Sequence, residues 1–512
     1  MNKKWFQIGL ASIFLLSLVL RFWGLARFNT LVFDEVYYAK FGNDYLTGVP
    51  FFDGHPPLGK LIIAVGIWLG SHVPWWQDIV NGLTGSMRSP MSYRWLNALF
   101  GSFIPMILAG IAYQISQRRS YSLVAGLFAA CDGIFLVESR YALINQYIVI
   151  FGLLGQYLLL LALNYQQRYN PFRYFLCLTL AGAAFGASIG TKWNGVFYLG
   201  GVYILWVIAW LIRWLQSSKF VNATANFIDA DTRQSYQQYN SPFILNFVTR
   251  HRYTNFTPLE NLTKLHFTHI FAFLAVIPAA IYGLIWIPHL RLDTRYNFIE
   301  VHRQIFSFHE RLGGNTAGVH PYCAAWYKWP LLTRPIAYLY ETAHSFTDPL
   351  PVMGPPLPAG VGKAIYDVHA MGNPFLWWFA FAAIMFLLVL LVWGFLEPLI
   401  KINRLVLPVS LNTETWIALY LVVNYFVNLL PWVRVSRCAF IYHYMTGVVF
   451  AFLAIALIVE HCLRSYLLPL RFAGVSIIFV ILTAFIFWMP IYLALPMTSS
   501  AYHMRMWFRS WI

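Results

Sequence analysis

Charge is scarce in this sequence: only 11% of its 512 residues are Asp, Glu, Lys or Arg, against about 25% in soluble globular proteins. A water-soluble chain of this length would need several domains, each with its own charged shell. The charge to build those shells is missing, while 59% of residues are hydrophobic and 19% aromatic. The chain is therefore a polytopic membrane protein. Acidic residues are scarcer than basic ones, 19 against 35, which leaves a net charge of +16. The basic residues stand singly or in pairs between apolar stretches, with no zinc-finger or RNA-binding signature, so nucleic acid is excluded as a partner. Cysteine is also sparse: Cys131, Cys177, Cys323, Cys438 and Cys462 are odd in number and lack C-x-x-C spacing. That pattern argues against a disulfide framework and against a zinc site. No small-residue cleavage site follows Lys3, Lys4 and the first apolar run, so a retained first helix is expected. Repeats, heptads and the duplicated halves of many transporters are absent as well.

Long apolar runs are what the chain does have. A hydrocarbon core about 30 Å thick takes around 20 apolar residues per helix. About eleven such runs occur, near 5–25, 95–116, 120–138, 143–164, 173–190, 195–214, 269–289, 375–396, 414–431, 441–459 and 473–495. The stretch 58–74 is shorter and Gly-rich and reads as an interfacial or re-entrant helix. Basic pairs (Lys3/Lys4, Arg118/Arg119, Arg168/Arg173, Lys401/Arg404, Arg464/Arg471) mark every second connection, which places the N-terminus inside and the C-terminus outside. Two long outer loops, 26–94 and 290–374, then hold most of the acidic residues. This divides the chain into an N-terminal catalytic transmembrane module (1–214), a polar inner-side insert (215–268) and a C-terminal transmembrane module (269–512). The insert lacks apolar periodicity and reads as partly disordered. Its N-x-[ST] triplets at Asn222, Asn255 and Asn261 face the wrong side for glycosylation.

Three constellations carry chemistry. Phe33-Asp34-Glu35 directly follows the first span, and Asp53-Gly54-His55-Pro56-Pro57-Leu58-Gly59-Lys60 comes soon after. Adjacent side chains diverge by about 100° on a helix, so Asp34 and Glu35 are a poor metal pair. The geometry suits one carboxylate working in a cavity while its neighbour makes a supporting contact; a solvated loop pair is the bland reading. Arg21, Arg94, Arg140 and Lys192 lie at outer helix ends, where each alone could simply snorkel. Converging, they would form a pocket for an anionic headgroup. The third set is His302, His309, His320, Trp326-Tyr327-Lys328-Trp329-Pro330, Arg334, Arg437 and Tyr442-His443-Tyr444. Its histidines lack metal-ligand spacing, and its aromatics fit either an interfacial belt or sugar stacking.

FDE at 33–35, FFDGHPPLGK at 51–60, YRWLNALFGSFIP at 93–105, ESRYALIN at 138–145, GTKWNG at 190–195, WYKWPLLTRPI at 326–336, MGNP at 371–374 and SRCAFIYHY at 436–444 stand in one order. Together they resemble the protein O-mannosyltransferases, bacterial relatives of the eukaryotic dolichyl-phosphate-mannose–protein mannosyltransferases (glycosyltransferase family 39). The resemblance covers most of residues 15–460. It implies an all-α polytopic GT-C fold, with a polyprenyl-phosphate-mannose donor and a protein Ser/Thr acceptor at the outer face of the cell membrane. No cofactor and no metal are expected. It further implies Asp34 as the catalytic carboxylate, Glu35 as its essential neighbour and Arg94 as a donor-phosphate contact, joined by Arg140, Lys192 and Arg21. His55, Lys60, Trp193, Asn145, Arg334, Arg437 and His443 match further motif positions as substrate-binding candidates. Two departures stand out: Asn145 replaces an aspartate found in many relatives, and loop 290–374 is too short for the MIR domain of eukaryotic members. Two other readings stay open on sequence alone. One is a GT-C transferase with a lipid or glycan acceptor, similar to the aminoarabinose transferases. The other is a secondary transporter or flippase, which the absence of repeated halves disfavours.

Overall fold

The computed structural model describes residues 2–217, 257–314, 318–344, 362–402 and 411–512. Ten described helices are long and apolar enough to cross a membrane, and a bent pair makes eleven if counted as one span. Each falls on one of the apolar runs of the sequence. The helices are α1 (Lys3–Phe22), α2 (Glu35–Thr47), α3 (Leu58–Ser71), α4 (Pro90–Ser102), α5 (Ile104–Ser116), α6 (Arg119–Ala130), α7 (Gly133–Arg140), α8 (Asn145–Gln167), α9 (Pro171–Ile189) and α10 (Val196–Ser217). After the insert come α11 (Phe267–Leu292), α12 (Phe298–Arg311), α13 (Pro374–Ile402), α14 (Thr413–Leu429), α15 (Met445–Arg464), α16 (Leu468–Tyr492) and α17 (Ser499–Arg505). Starts are set by local chemistry. Asn2, Ser89, Asn170 and Asn412 each accept a first-turn amide hydrogen bond, and Pro90 and Pro171 open α4 and α9.

The run 120–138 is broken rather than continuous: α6 and α7 meet at 59°. Asp132 restarts the helix by accepting from the Phe135 amide, and it also accepts from Asn373 N (3.0 Å) and Trp377 Nε1 (2.8 Å). This carboxylate in the middle of an apolar run thus ties the break to the start of α13. At the other end of α7, the Arg140 guanidinium donates to the carbonyls of Leu20, Arg21, Trp23 and Gly24. Those groups at the end of α1 would otherwise lack partners.

Loop 26–94 folds into α2, α3 and a short turn, and α3 packs between α2 and α4. Loop 290–374 contributes α12 and two strands, β1 (Ile336–Ala343) and β2 (Ala364–Ala370). With β3 (Met497–Thr498) they make a three-stranded antiparallel sheet in the order β1-β2-β3, an element beyond the helical architecture read from sequence. One continuous core runs from Phe28 to Trp511.

Two sequence expectations need correction. Cys323 and Cys438 form a disulfide across a separation of 115 residues, leaving Cys131, Cys177 and Cys462 free. The odd count reflects three unpaired thiols beside one long-range bridge that no local spacing could reveal. The same two segments are zipped by Cys438 N to Gly313 O (2.9 Å) and Ala324 N to Ala439 O (2.8 Å). Thiol counting on the denatured protein should give three before reduction and five after; five before reduction would remove the bridge. The polar insert also ends earlier than expected. Residues Pro258–Lys264 form a 3-10 helix with Leu259 and Leu262 buried, and the Asn261 amide donates to Leu163 O rather than facing solvent. Asn222 and Asn255 lie outside the described residues.

Candidate active site

Asp34 and Glu35 diverge at the start of α2. The Glu35 carboxylate is fully buried and accepts from Arg94 Nε (2.9 Å), Arg94 Nη2 (2.7 Å), Val32 N (2.9 Å) and Ala142 N (2.9 Å). Asp34 is half-buried at the N-cap and makes no capping hydrogen bond with its side chain. Its direction is set by Phe33, which holds a left-handed φ of 53°. Such a conformation costs a non-glycine residue roughly 1–3 kcal/mol and persists only where the surroundings enforce it. Here the enforcement is a parallel stack of the Phe33 ring on Tyr338 of β1, with centroids 4.1 Å apart. Burial raises the Asp34 carboxyl to about 6, against the opposing pull of Lys192.

Lys192 sits between α9 and α10 and is nearly fully buried. Its ammonium donates to Asn145 Oδ1 (2.7 Å) and lies over the Tyr442 ring. Burial lowers it to about 8, opposed by Asp34 and Glu138. Asn145 in turn donates to both oxygens of Glu138 (3.2 Å each), and Tyr338 donates its hydroxyl to the same carboxylate.

Lys192 also lines a cavity of about 290 Å³ together with His55, Trp193, Asn194, His309, Trp432, Arg437 and His443. Its remaining wall is apolar, formed by Val196, Phe197, Pro431 and Val435 between the start of α10 and the end of α14. His309 donates from Nε2 to Gly54 O (2.9 Å) and stands 5.4 Å, centroid to centroid, from His55. Burial pushes His55 well down and His309 down to about 4, with Arg437 and Lys192 adding to both shifts. Both rings are therefore neutral at neutral pH, and the cavity's positive charge rests on Lys192 and Arg437. The disulfide anchors the residue next to Arg437.

The four basic residues expected to converge do not share this cavity. Only Lys192 lines it. Arg94 places all five of its donors elsewhere: two on Glu35 and the rest on the carbonyls of Leu25, Phe28 and Thr30. Arg140 closes the end of α1, and Arg21 donates to Ser17 and to Phe135 O. Position near a helix mouth could not distinguish a guanidinium facing a ligand from one satisfying chain carbonyls. Lys60 pairs with Asp53 and donates to His55 O (2.7 Å), so it shapes the His55 loop rather than the cavity wall. Arg334 binds Pro321 O and Ser510 O and fastens the C-terminal segment to the outer loop. Sequence reasoning missed Glu138, Tyr338 and Asn194. Glu138 stood in a quoted motif, but only the break between α7 and α8 folds it back beside Asn145. Among the described residues, no group of three or more His, Cys, Asp or Glu is placed to hold a metal ion.

Comparison with known proteins agrees with this architecture. Residues 11–292 match the family model for dolichyl-phosphate-mannose-protein mannosyltransferase. Residues 294–511 match the C-terminal four-transmembrane region of protein-O-mannosyltransferase. The polyprenol-phosphate-mannose–protein mannosyltransferase of Mycolicibacterium smegmatis is 24% identical, over 94% of this chain and 88% of the relative. The Corynebacterium glutamicum enzyme of that name is 23% identical, over 99% and 94%. The fold is that of the Saccharomyces cerevisiae protein O-mannosyltransferase Pmt1–Pmt2 complex bound to the sugar donor, with a TM-score of 0.73 at 13% identity over 100% of this chain and 93% of the yeast chain. The chain belongs to the dolichyl-phosphate-mannose–protein mannosyltransferase family and is a multi-pass membrane glycosyltransferase of the GT-C type.

Proposed function

We propose that the chain transfers mannose from a polyprenyl-phosphate carrier to Ser or Thr hydroxyls of proteins at the outer face of the cell membrane, with the N-terminus cytoplasmic. One observation carries this reading: Lys192 lines the cavity while its charge bears on the Asp34 carboxyl. A single ammonium therefore links a candidate base to a site for an anionic group. Lys192 and Arg437 hold the donor phosphate, and the apolar wall at Val196, Phe197 and Val435 receives the start of the lipid. The disulfide supports an outward orientation of loop 290–374 and of the connection between α14 and α15, because such bridges persist on the oxidising side of a membrane.

The acceptor hydroxyl attacks the anomeric carbon and passes its proton to the Asp34 carboxylate. The bond from that carbon to the phosphate oxygen breaks, and polyprenyl phosphate leaves with the electron pair. A phosphate leaving group calls for stabilisation of negative charge, which fixed cations in a water-poor site supply. The displacement inverts the anomeric centre.

The sign of the pH dependence follows. Asp34 acts when deprotonated, above about 6, and Lys192 binds phosphate when protonated, below about 8. Transfer per unit of donor should form a bell between those limits, since this ratio reports free-enzyme ionisations. Radiolabelled polyprenyl-phosphate-mannose with a Ser/Thr peptide in purified membranes gives the test. Label in the peptide fraction with a bell-shaped profile supports the reading; label only in lipid would replace it with a lipid-acceptor transferase.

A further inference from the structure

Behind Lys192 lies a group that the mechanism above leaves idle. Glu138 is fully buried on α7 and touches neither the cavity nor Asp34 by a hydrogen bond. It is nevertheless placed with care. Asn145 stands between Glu138 and Lys192, with its carbonyl oxygen toward the ammonium and its amide nitrogen toward the carboxylate. Turned over, the amide would set donor against donor and acceptor against acceptor, so the two charged neighbours fix its orientation.

Counting charges around this bridge explains its use. Lys60 is paired with Asp53. The ionisable side chains that remain are Lys192, Arg437, Asp34 and Glu138, and the titratable rings around them are Tyr38, Tyr338, Tyr442, His55, His309 and His443. If Asp34 were the sole counter-ion of Lys192, the lysine would hold it strongly deprotonated and make it a weak proton acceptor. A second carboxylate that shares the lysine relieves Asp34 of that task.

We infer that Glu138 and Asn145 form a positioning pair that holds Lys192 between the cavity and Asp34, and that it needs one carboxylate and one amide, exchangeable between the two positions. The inference rests on reading Asp34 as the base and Lys192 as the phosphate partner. Neither Glu138 nor Asn145 touches the reacting atoms. They act through Lys192, and Tyr338 acts through Glu138.

The test is a swap in the full-length chain, extracted in detergent and assayed with polyprenyl-phosphate-mannose and a Ser/Thr peptide. Glu138→Gln removes the counter-charge and Asn145→Asp sets two carboxylates against each other. Each should lower kcat at least 10-fold. The double variant, Glu138→Gln with Asn145→Asp, restores one carboxylate and one amide and should return to within threefold of the parent. The acid limb of the pH profile gives a readout that simple loss of packing would not produce. Extra negative charge in Asn145→Asp raises the Asp34 limb to higher pH, whereas Glu138→Gln lowers it. Tyr338→Phe, which removes no charge and keeps the ring stacked on Phe33, should lower it by a smaller amount and serves if a charge variant fails to fold. A double variant no more active than the worse single, or limbs that do not move in opposite directions, would overturn the inference. Asp34→Asn run in parallel separates the two claims. Its near-normal activity would defeat the assignment of the base, while an inactive Asp34→Asn with no rescue in the swap would defeat only the positioning pair.

Discussion

Asp34→Asn should insert and fold like the parent and lose about 10²–10⁴-fold in transfer rate, the range by which a positioned proton acceptor accelerates a reaction. The substitution keeps the size and shape of the side chain and removes only its basicity. Asp34 holds up nothing that would collapse, since its side chain takes no part in capping α2. Its orientation comes from the Phe33 backbone and the Phe33–Tyr338 stack, both of which the change leaves in place. Donor affinity should therefore change little while turnover falls. A drop in extractable, monodisperse protein equal to the drop in activity would instead assign Asp34 to folding.

The second large effect is of the opposite kind. Arg94→Ala should cost the fold itself, because it strands Glu35 as a buried unpaired carboxylate and releases the carbonyls of Leu25, Phe28 and Thr30. Breaking a fully buried ion pair from one side destabilises by roughly 3–5 kcal/mol. The expected result is a lower melting temperature and poor recovery from detergent, with transfer lost in proportion. Lys192→Ala makes the contrast: donor use falls much further than stability, since the Lys192 ammonium makes one hydrogen bond, to Asn145, where the Arg94 guanidinium makes five. Arg94→Ala with parent-like stability and a raised KM for donor would return the phosphate to Arg94. The structure gives that guanidinium no free donor.

Much of the architecture was legible in the sequence because membrane spans are long and apolar, and every expected run has a helix on it. What stayed hidden depends on pairings across the chain. Asp132 inside the run 120–138 was the one polar mark of the 59° break between α6 and α7, and a single carboxylate does not announce a cap. Strand β2 is buried along its whole length, so it lacks the alternation that marks a half-exposed strand. The disulfide joins residues 115 apart. For the site, helix geometry said only that the side chains of Asp34 and Glu35 diverge and suit one working and one supporting carboxylate; the resemblance implied which was which. The arginines could not be sorted, because Arg21, Arg94 and Arg140 lie at helix mouths just as Lys192 does. Only the carbonyls and carboxylates they meet in the fold tell them apart.

The central claim is that the donor phosphate meets Lys192 and Arg437 beside Asp34. The most direct measurement is an experimental structure of the full-length chain with polyprenyl-phosphate-mannose, or a non-transferable analogue, bound. The account expects the phosphate within hydrogen-bond distance of Lys192 Nζ and Arg437, with the anomeric carbon facing Asp34 and Arg94 still closed on Glu35. A phosphate held by Arg94, Arg140 or Arg21, with the cavity between α10 and α14 empty, would contradict it.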